Sequence, residues 1–189
     1  MSKKILAKDK VFTFGFNSAK DVYEKLVRDS KKLGENHRSK DECFNFSVTA
    51  WQLYNDWLEN DDFILALAKT KYKNSKIFMD DMMLGLCAVA NSSKHLYLWQ
   101  SLRSDPNFNV VDIIYEDVTD WHKYFFAPFP TIVTKKAKYN LWKVNEILLE
   151  YFEWVFNDSA VATDIPLSIK INKMNAYRSF FGVTAFQCK

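Results

Sequence analysis

Hydrophobic positions recur along most of this chain with a helical period. Ser18 followed by Asp21 makes a capping-box start, and Val22, Leu26 and Leu33, with Tyr23 flanking, supply an apolar stripe. These predict a helix over about 19–33, with Gly34 as its stop and a polar loop over 34–40. Asp41 opens a second helix over about 41–59. It carries two stripes, Phe44-Trp51-Tyr54-Leu58 and Phe46-Ala50-Leu53-Trp57, the pattern of a helix buried between others. A short helix over 62–71, a polar break over 71–76 and a helix from Ile77 to about Ala90 come next. Met79, Met82, Met83, Leu86, Val89 and Ala90 of that helix are expected to face inward. The longest helix spans 139–156, with Leu141, Val144, Leu148, Phe152 and Val155 on one side and Ile147, Tyr151 and Trp154 beside them.

Elsewhere the texture differs. Residues 10–16 alternate around Phe12, Phe14 and Phe16, which predicts a short strand or extended arm. Asn109 to Tyr115 is β-branched, and Phe125 to Val133 holds three Phe and two Pro, so 108–135 is expected to be a β-hairpin or irregular insertion. Residues 169–181 predict an amphipathic helix within a peripheral C-terminal segment, 158–189. The expected fold is mainly α, a four- or five-helix bundle forming one domain over 1–189, with the helices at 41–59, 77–92 and 139–156 as its core.

Composition supports this picture. The 189 residues are 48% hydrophobic and 16% aromatic, enough for one sizeable core, while only 4 Gly and 4 Pro argue against a turn-rich all-β fold. A net charge of +3 is mild for a dedicated nucleic-acid binder, although Lys135, Lys136 and Lys138 cluster, as do Lys170, Lys173, Arg178 and Lys189 towards the C-terminus. Cys43, Cys87 and Cys188 form no CxxC pair, so a zinc knuckle is not expected. An odd cysteine count, no signal-peptide core and no apolar run of membrane-spanning length point to a cytoplasmic protein. No sequence motif implies a cofactor or metal.

The candidate chemistry gathers at Asn91-Ser92-Ser93-Lys94-His95. There a neutral amide, two hydroxyls, an ammonium and an imidazole follow an apolar helix. His95 titrates near neutral pH, Lys94 suits an anion, and Asn91 lies one helical turn before His95. These types also suit a plain helix end, since Asn and Ser compete for backbone hydrogen bonds and Lys and His favour the C-terminal dipole. Asp56, beside Trp57, is an oddly placed acid that could cap a loop or meet Lys94 or His95 across the bundle. Asp80-Asp81 resembles a Mg²⁺ pair, but adjacent helical residues point about 100° apart and serve one pocket poorly. Cys87 with His95 is a conceivable nucleophile pair, against the rule that a buried helical cysteine is inert.

Two segments carry a family likeness: Asp41-Glu-Cys-Phe-Asn-Phe-Ser-Val-Thr-Ala-Trp-Gln-Leu-Tyr-Asn-Asp-Trp57, preceded by Ser18 to Leu26, and Cys87-Ala-Val-Ala-Asn-Ser-Ser-Lys-His95. Together they resemble a family of small bacterial and phage helical proteins with an F-N-F-x-V-T-A-W-x-L-x-D-W helix and a C-x-x-A-N-G-x-K-H helix end. The likeness covers roughly the first half of the chain. This sequence departs at Asn55, one residue more than the motif before Asp-Trp, and at Ser92, where Gly is common. The family has no assigned activity, so it adds weight to the motifs and names no reaction.

A weaker similarity is to HEPN domains, helical bundles in which a polar residue and a histidine cut RNA without metal, generally across a dimer. Asn91-x-x-x-His95 is similar in spacing, but the signature arginine is absent, because Ala88, Val89 and Ala90 precede Asn91.

The leading functional expectation is an interaction or ligand-binding module. Its polar pocket would involve Asn91, Ser92, Ser93, Lys94, His95 and Asp56, and its partner would be an anionic ligand, RNA, a protein or a second copy. The alternative is a HEPN-like ribonuclease of phage–host conflict, with His95 and Asn91 catalytic. A structural virion component is a third class.

Overall fold

The computed structural model describes residues 15–36, 39–62, 64–92, 112–114, 130–133, 138–159 and 162–184. The extended arm at 10–14, most of the 108–135 insertion, and Ser93, Lys94 and His95 lie outside the described residues. Among those described, the fold is mainly helical. The helices are α1 (Ala19–Glu35), α2 (Lys40–Gln52, continuing through Asn60), α3 (Ala66–Ser92), α4 (Leu141–Phe156) and α5 (Leu167–Thr184). Strands β1 (Asp112–Ile114), β2 (Thr131–Val133) and β3 (Lys138–Asn140) form a small antiparallel sheet in the order β1-β2-β3. Ile132 pairs with Ile113 on one side and Tyr139 on the other. No described helix is long and apolar enough to cross a membrane.

Helix α1 starts where the capping box places it. The Ser18 hydroxyl accepts from the Asp21 backbone N–H, and the Asp21 carboxylate accepts from the Ser18 N–H. Gly34 does not stop it. The helix continues to Glu35 and ends on Asn36, and Gly34 instead lies against the Trp142 ring of α4, where a Cβ would sit 3.6 Å from Cζ3. The acidic Asp29 of α1 is buried and accepts from Lys25 Nζ at 2.5 Å and Thr49 Oγ1 at 2.7 Å, which ties α1 to α2.

The expected break at 71–76 is absent, and α3 runs 27 residues without interruption. Its inward face reads Ala68, Tyr72, Ser75, Met79, Met82, Met83 and Leu86, all buried at helical spacing. The polar residues of the supposed break are accommodated rather than disruptive. Lys73 and Asn74 face outward. Ser75 Oγ bonds the Lys71 and Tyr72 carbonyls and the Tyr151 hydroxyl. Fully buried Lys71 donates to the Trp154 and Asn157 carbonyls at 2.9 and 2.7 Å, closing the C-terminus of α4.

Helix α4 begins at Leu141, not Tyr139. Asn140 is its N-cap, its side chain accepting from the Trp142 and Lys143 N–H groups, and Tyr139 belongs to β3. The inward residues expected for α4 are all buried, and α4 packs on α1, α3 and α5. Helix α5 contributes Ile169 and Ala176 to the same core, next to Ile165. Lys173 of α5 bonds the Phe78 carbonyl and the Asp81 carboxylate, and Tyr139 donates to Asp81 at 2.5 Å, so one acid of α3 holds both β3 and α5.

Candidate functional site

Helix α2 contains the local feature that shapes the candidate site. Over Leu53–Trp57 its hydrogen bonds widen to a π-turn, and the Leu58 N–H reaches the Leu53 carbonyl five residues back. Such a turn inserts one residue into an α-helix and rotates the residues beyond it. Phe46, Ala50 and Leu53 are buried as the second stripe requires, but the core positions then pass to Tyr54 and Leu58 of the first stripe, while Trp57 is half-buried at the margin. The two stripes expected for this helix therefore exchange at the π-turn. The inserted length emerges as Asn55 and Asp56, both exposed. The Asn55 amide donates to Asp56 Oδ1 at 2.9 Å, and the Asn60 amide donates to the Asp56 carbonyl at 2.8 Å.

The π-turn meets the middle of α3, where the Tyr54 hydroxyl donates to the Lys76 carbonyl and to Asp80; Cys87 and Asn91 lie further along the same helix. Cys87 is buried, and the Asn91 amide donates back to its sulfur at 3.2 Å. Burial pushes the Cys87 thiol up to about 11; the Asn91 hydrogen bond opposes the shift and the negative charge of Asp56 adds to it. Asp56 of α2 and Cys87–Asn91 of α3 thus share one electrostatic environment. The thiol is held protonated at neutral pH, the state of an inert cysteine rather than a nucleophile. Asn91 remains within the helix, and Ser92 is its last described residue. Ser93, Lys94 and His95 fall outside the described residues, and with them any contact of Asp56 with Lys94 or His95.

A direct check of this neighbourhood is the pH dependence of Cys87 alkylation in a Cys43→Ser, Cys188→Ser background. Asp56→Asn is expected to move the midpoint of thiolate formation downward, and Asn91→Ala to move it upward. Equal midpoints in all three proteins would place Asp56 and Asn91 outside the reach of Cys87.

The other candidates resolve differently. Asp80 and Asp81 turn to separate partners: Asp80 accepts from the Tyr54 hydroxyl at 2.8 Å, and Asp81 from Tyr139 and Lys173. Among the described residues no group of three or more His, Cys, Asp or Glu side chains could hold a metal ion. Lys173 is committed to the fold through Phe78 and Asp81. The buried roles of Lys71 and of the Tyr54–Asp80 pair are not evident from the sequence pattern. The signal for Lys71 is its place three residues after Ala68 and four before Ser75, on the inward face of α3. No family model, curated protein or solved structure matches this chain.

Proposed function

We propose that the chain is a helical binding module. Its proposed contacts are Asn55 and Asp56 at the π-turn of α2 and Asn91 of α3, with Ser92, Ser93, Lys94 and His95, which follow Asn91 in sequence, as further candidates. The observation that carries this reading is the π-turn itself. A π-turn is a less favourable backbone than the α-helix it interrupts, and such turns recur at functional sites. Here it leaves two polar side chains, Asn55 and Asp56, exposed, and the Asp56 charge is felt at Cys87, one helical turn before Asn91. The same extra residue, Asn55, separates this sequence from the motif it resembles.

The Asn55 and Asn91 amides suit a ligand with hydrogen-bonding edges, as single-stranded RNA has, and Lys94 and His95, which follow Asn91 in sequence, carry the positive charge an anion needs. Half-buried Trp57, within the π-turn, serves as an intrinsic reporter of occupancy.

The test is a titration with a single-stranded RNA oligonucleotide, followed by amide chemical shifts and by Trp fluorescence. Shifts centred on residues 55–57 and 91–95, weakened by Lys94→Ala and by Asn91→Ala, are the expected result. Shifts confined to other surfaces, or none, would remove the reading. The same mixture distinguishes the HEPN-like ribonuclease, which shares the Asn91-x-x-x-His95 spacing: cleavage lost in His95→Ala would favour the enzyme. The binding reading stands ahead of it because the Asn91 amide donates back to Cys87 and no arginine precedes Asn91.

A further inference from the structure

The interior between α2, α3 and α4 contains a file of oxidisable rings. Trp51 lies 6.5 Å from Tyr54 between ring centroids, Tyr54 lies 6.4 Å from Tyr151, and Tyr151 lies 6.1 Å from Trp154. Tyr72 adjoins Tyr54 edge-on at 5.3 Å. These separations are those of rings in direct contact. Trp51, only half-buried, is the member of the file nearest solvent, while Tyr54, Tyr72 and Tyr151 are buried.

The charges around the file are not uniform. An ammonium stands over each of two rings: Lys71 Nζ is 5.5 Å from the Trp154 centroid and Lys76 Nζ 5.4 Å from that of Tyr72. A cation at that range attracts a neutral ring but opposes positive charge upon it. The Tyr54 hydroxyl lies 2.8 Å from a carboxylate oxygen, Asp80 Oδ1, and 2.9 Å from the Lys76 carbonyl, and of these two acceptors only the carboxylate can take up its proton. Tyr151 meets the Ser75 hydroxyl, a poor proton acceptor. A second tyrosine–carboxylate pair, Tyr139 with Asp81, is weakened as an acceptor because Asp81 is shared with the Lys173 ammonium.

The geometry points to Tyr54 as a redox-active tyrosine, a trap for oxidising equivalents that enter at Trp51, with Asp80 as its proton acceptor. A one-electron oxidant at the surface removes an electron from Trp51 and leaves an indole radical cation. Tyr54 returns an electron to Trp51. Its phenolic O–H bond breaks as an O–H bond forms on Asp80, so the products are neutral Trp51, a neutral Tyr54 radical and a protonated Asp80. Asp80 acts here as a positioning and proton-accepting residue.

The full-length protein, oxidised by a flash-quenched ruthenium tris-bipyridine complex and frozen, is read by electron paramagnetic resonance. A tyrosyl spectrum is expected for the wild type. Tyr54→Phe should lose the larger part of it, Asp80→Asn should replace it with a tryptophanyl spectrum, and Tyr139→Phe should leave it unchanged. A tyrosyl signal undiminished in either Tyr54→Phe or Asp80→Asn overturns the proposal. If circular dichroism shows Tyr54→Phe to be unfolded, Asp80→Asn decides alone, since the ring file is intact in that variant.

Discussion

Replacing Lys71 with alanine is expected to destabilise the protein by about 3–5 kcal/mol. Lys71 is fully buried, and its ammonium closes the last turn of α4 by donating to the Trp154 and Asn157 carbonyls. Alanine removes both hydrogen bonds, leaves the buried Trp154 carbonyl without its donor and empties the volume of a long side chain. Domains of this size are stable by about 5–15 kcal/mol, so one such change consumes a large share. Lys71→Met separates the contributions. It restores most of the packing while leaving the carbonyls without their donor, and its loss should lie below that of alanine, at about 2–3 kcal/mol. Urea unfolding followed by circular dichroism measures both. Wild-type stability in Lys71→Ala would mean that α4 does not depend on this cap.

The second large effect is alkaline unfolding. Burial raises the pKa of Tyr54, Tyr72 and Tyr151, and burial likewise lifts Cys87 to about 11. Each of these groups is neutral when protonated and has a folded-state pKa above its unfolded one. As pH climbs past the ordinary value, about 9 for the thiol and about 10 for the phenols, the unfolded chain releases protons that the folded chain retains. Stability must then fall with rising pH. A group that stays protonated in the fold contributes about 1.4 kcal/mol per pH unit, so Tyr54 and Tyr151 together lower stability by about 3 kcal/mol per unit once pH is well above 10, and Tyr72 adds in the same direction.

Lys71 has the opposite sign. Burial lowers its pKa, so its contribution rises with pH, but only up to its ordinary value near 10.5. It cannot offset the phenols beyond that point. Tyrosinate absorbance and far-ultraviolet circular dichroism, recorded together, should show cooperative loss of helix coincident with a block of tyrosine ionisation above about pH 11. Smooth ionisation of all nine tyrosines with the helices intact would contradict the burial assigned to them.

Much of the helical framework was legible in the sequence because its signals are local. Ser18 and Asp21 mark the start of α1, and the apolar repeat of α4 marks its inward face from Leu141 to Val155. What local pattern misjudged was decided by tertiary contact. Gly34 has no positive φ to supply and sits against Trp142, so its expected role as a stop disappears. The polar run at 71–76 resembles a loop only until Lys71 and Ser75 meet the carbonyls and hydroxyl that satisfy them. The π-turn is harder still. A hydrophobic period of 3.6 fits Leu53-Trp57 as well as Tyr54-Leu58, and the five-residue step from Leu53 to Leu58 is chosen by which side chain the core accepts. At the candidate site, Asn91 and Asp56 are brought into the surroundings of Cys87, whereas the sequence pattern pointed Asp56 and Cys87 towards Lys94 and His95 instead.

Deletion of Asn55 tests most directly whether the π-turn exists to present a binding surface. Shortening the step between Leu53 and Leu58 to four residues lets α2 run as an unbroken α-helix with Leu58 still at its core position. The expected protein is folded, with a melting temperature equal to or above that of the wild type, and without the RNA-dependent shifts at the π-turn and the end of α3. Binding retained at wild-type strength in the deletion variant would contradict the account.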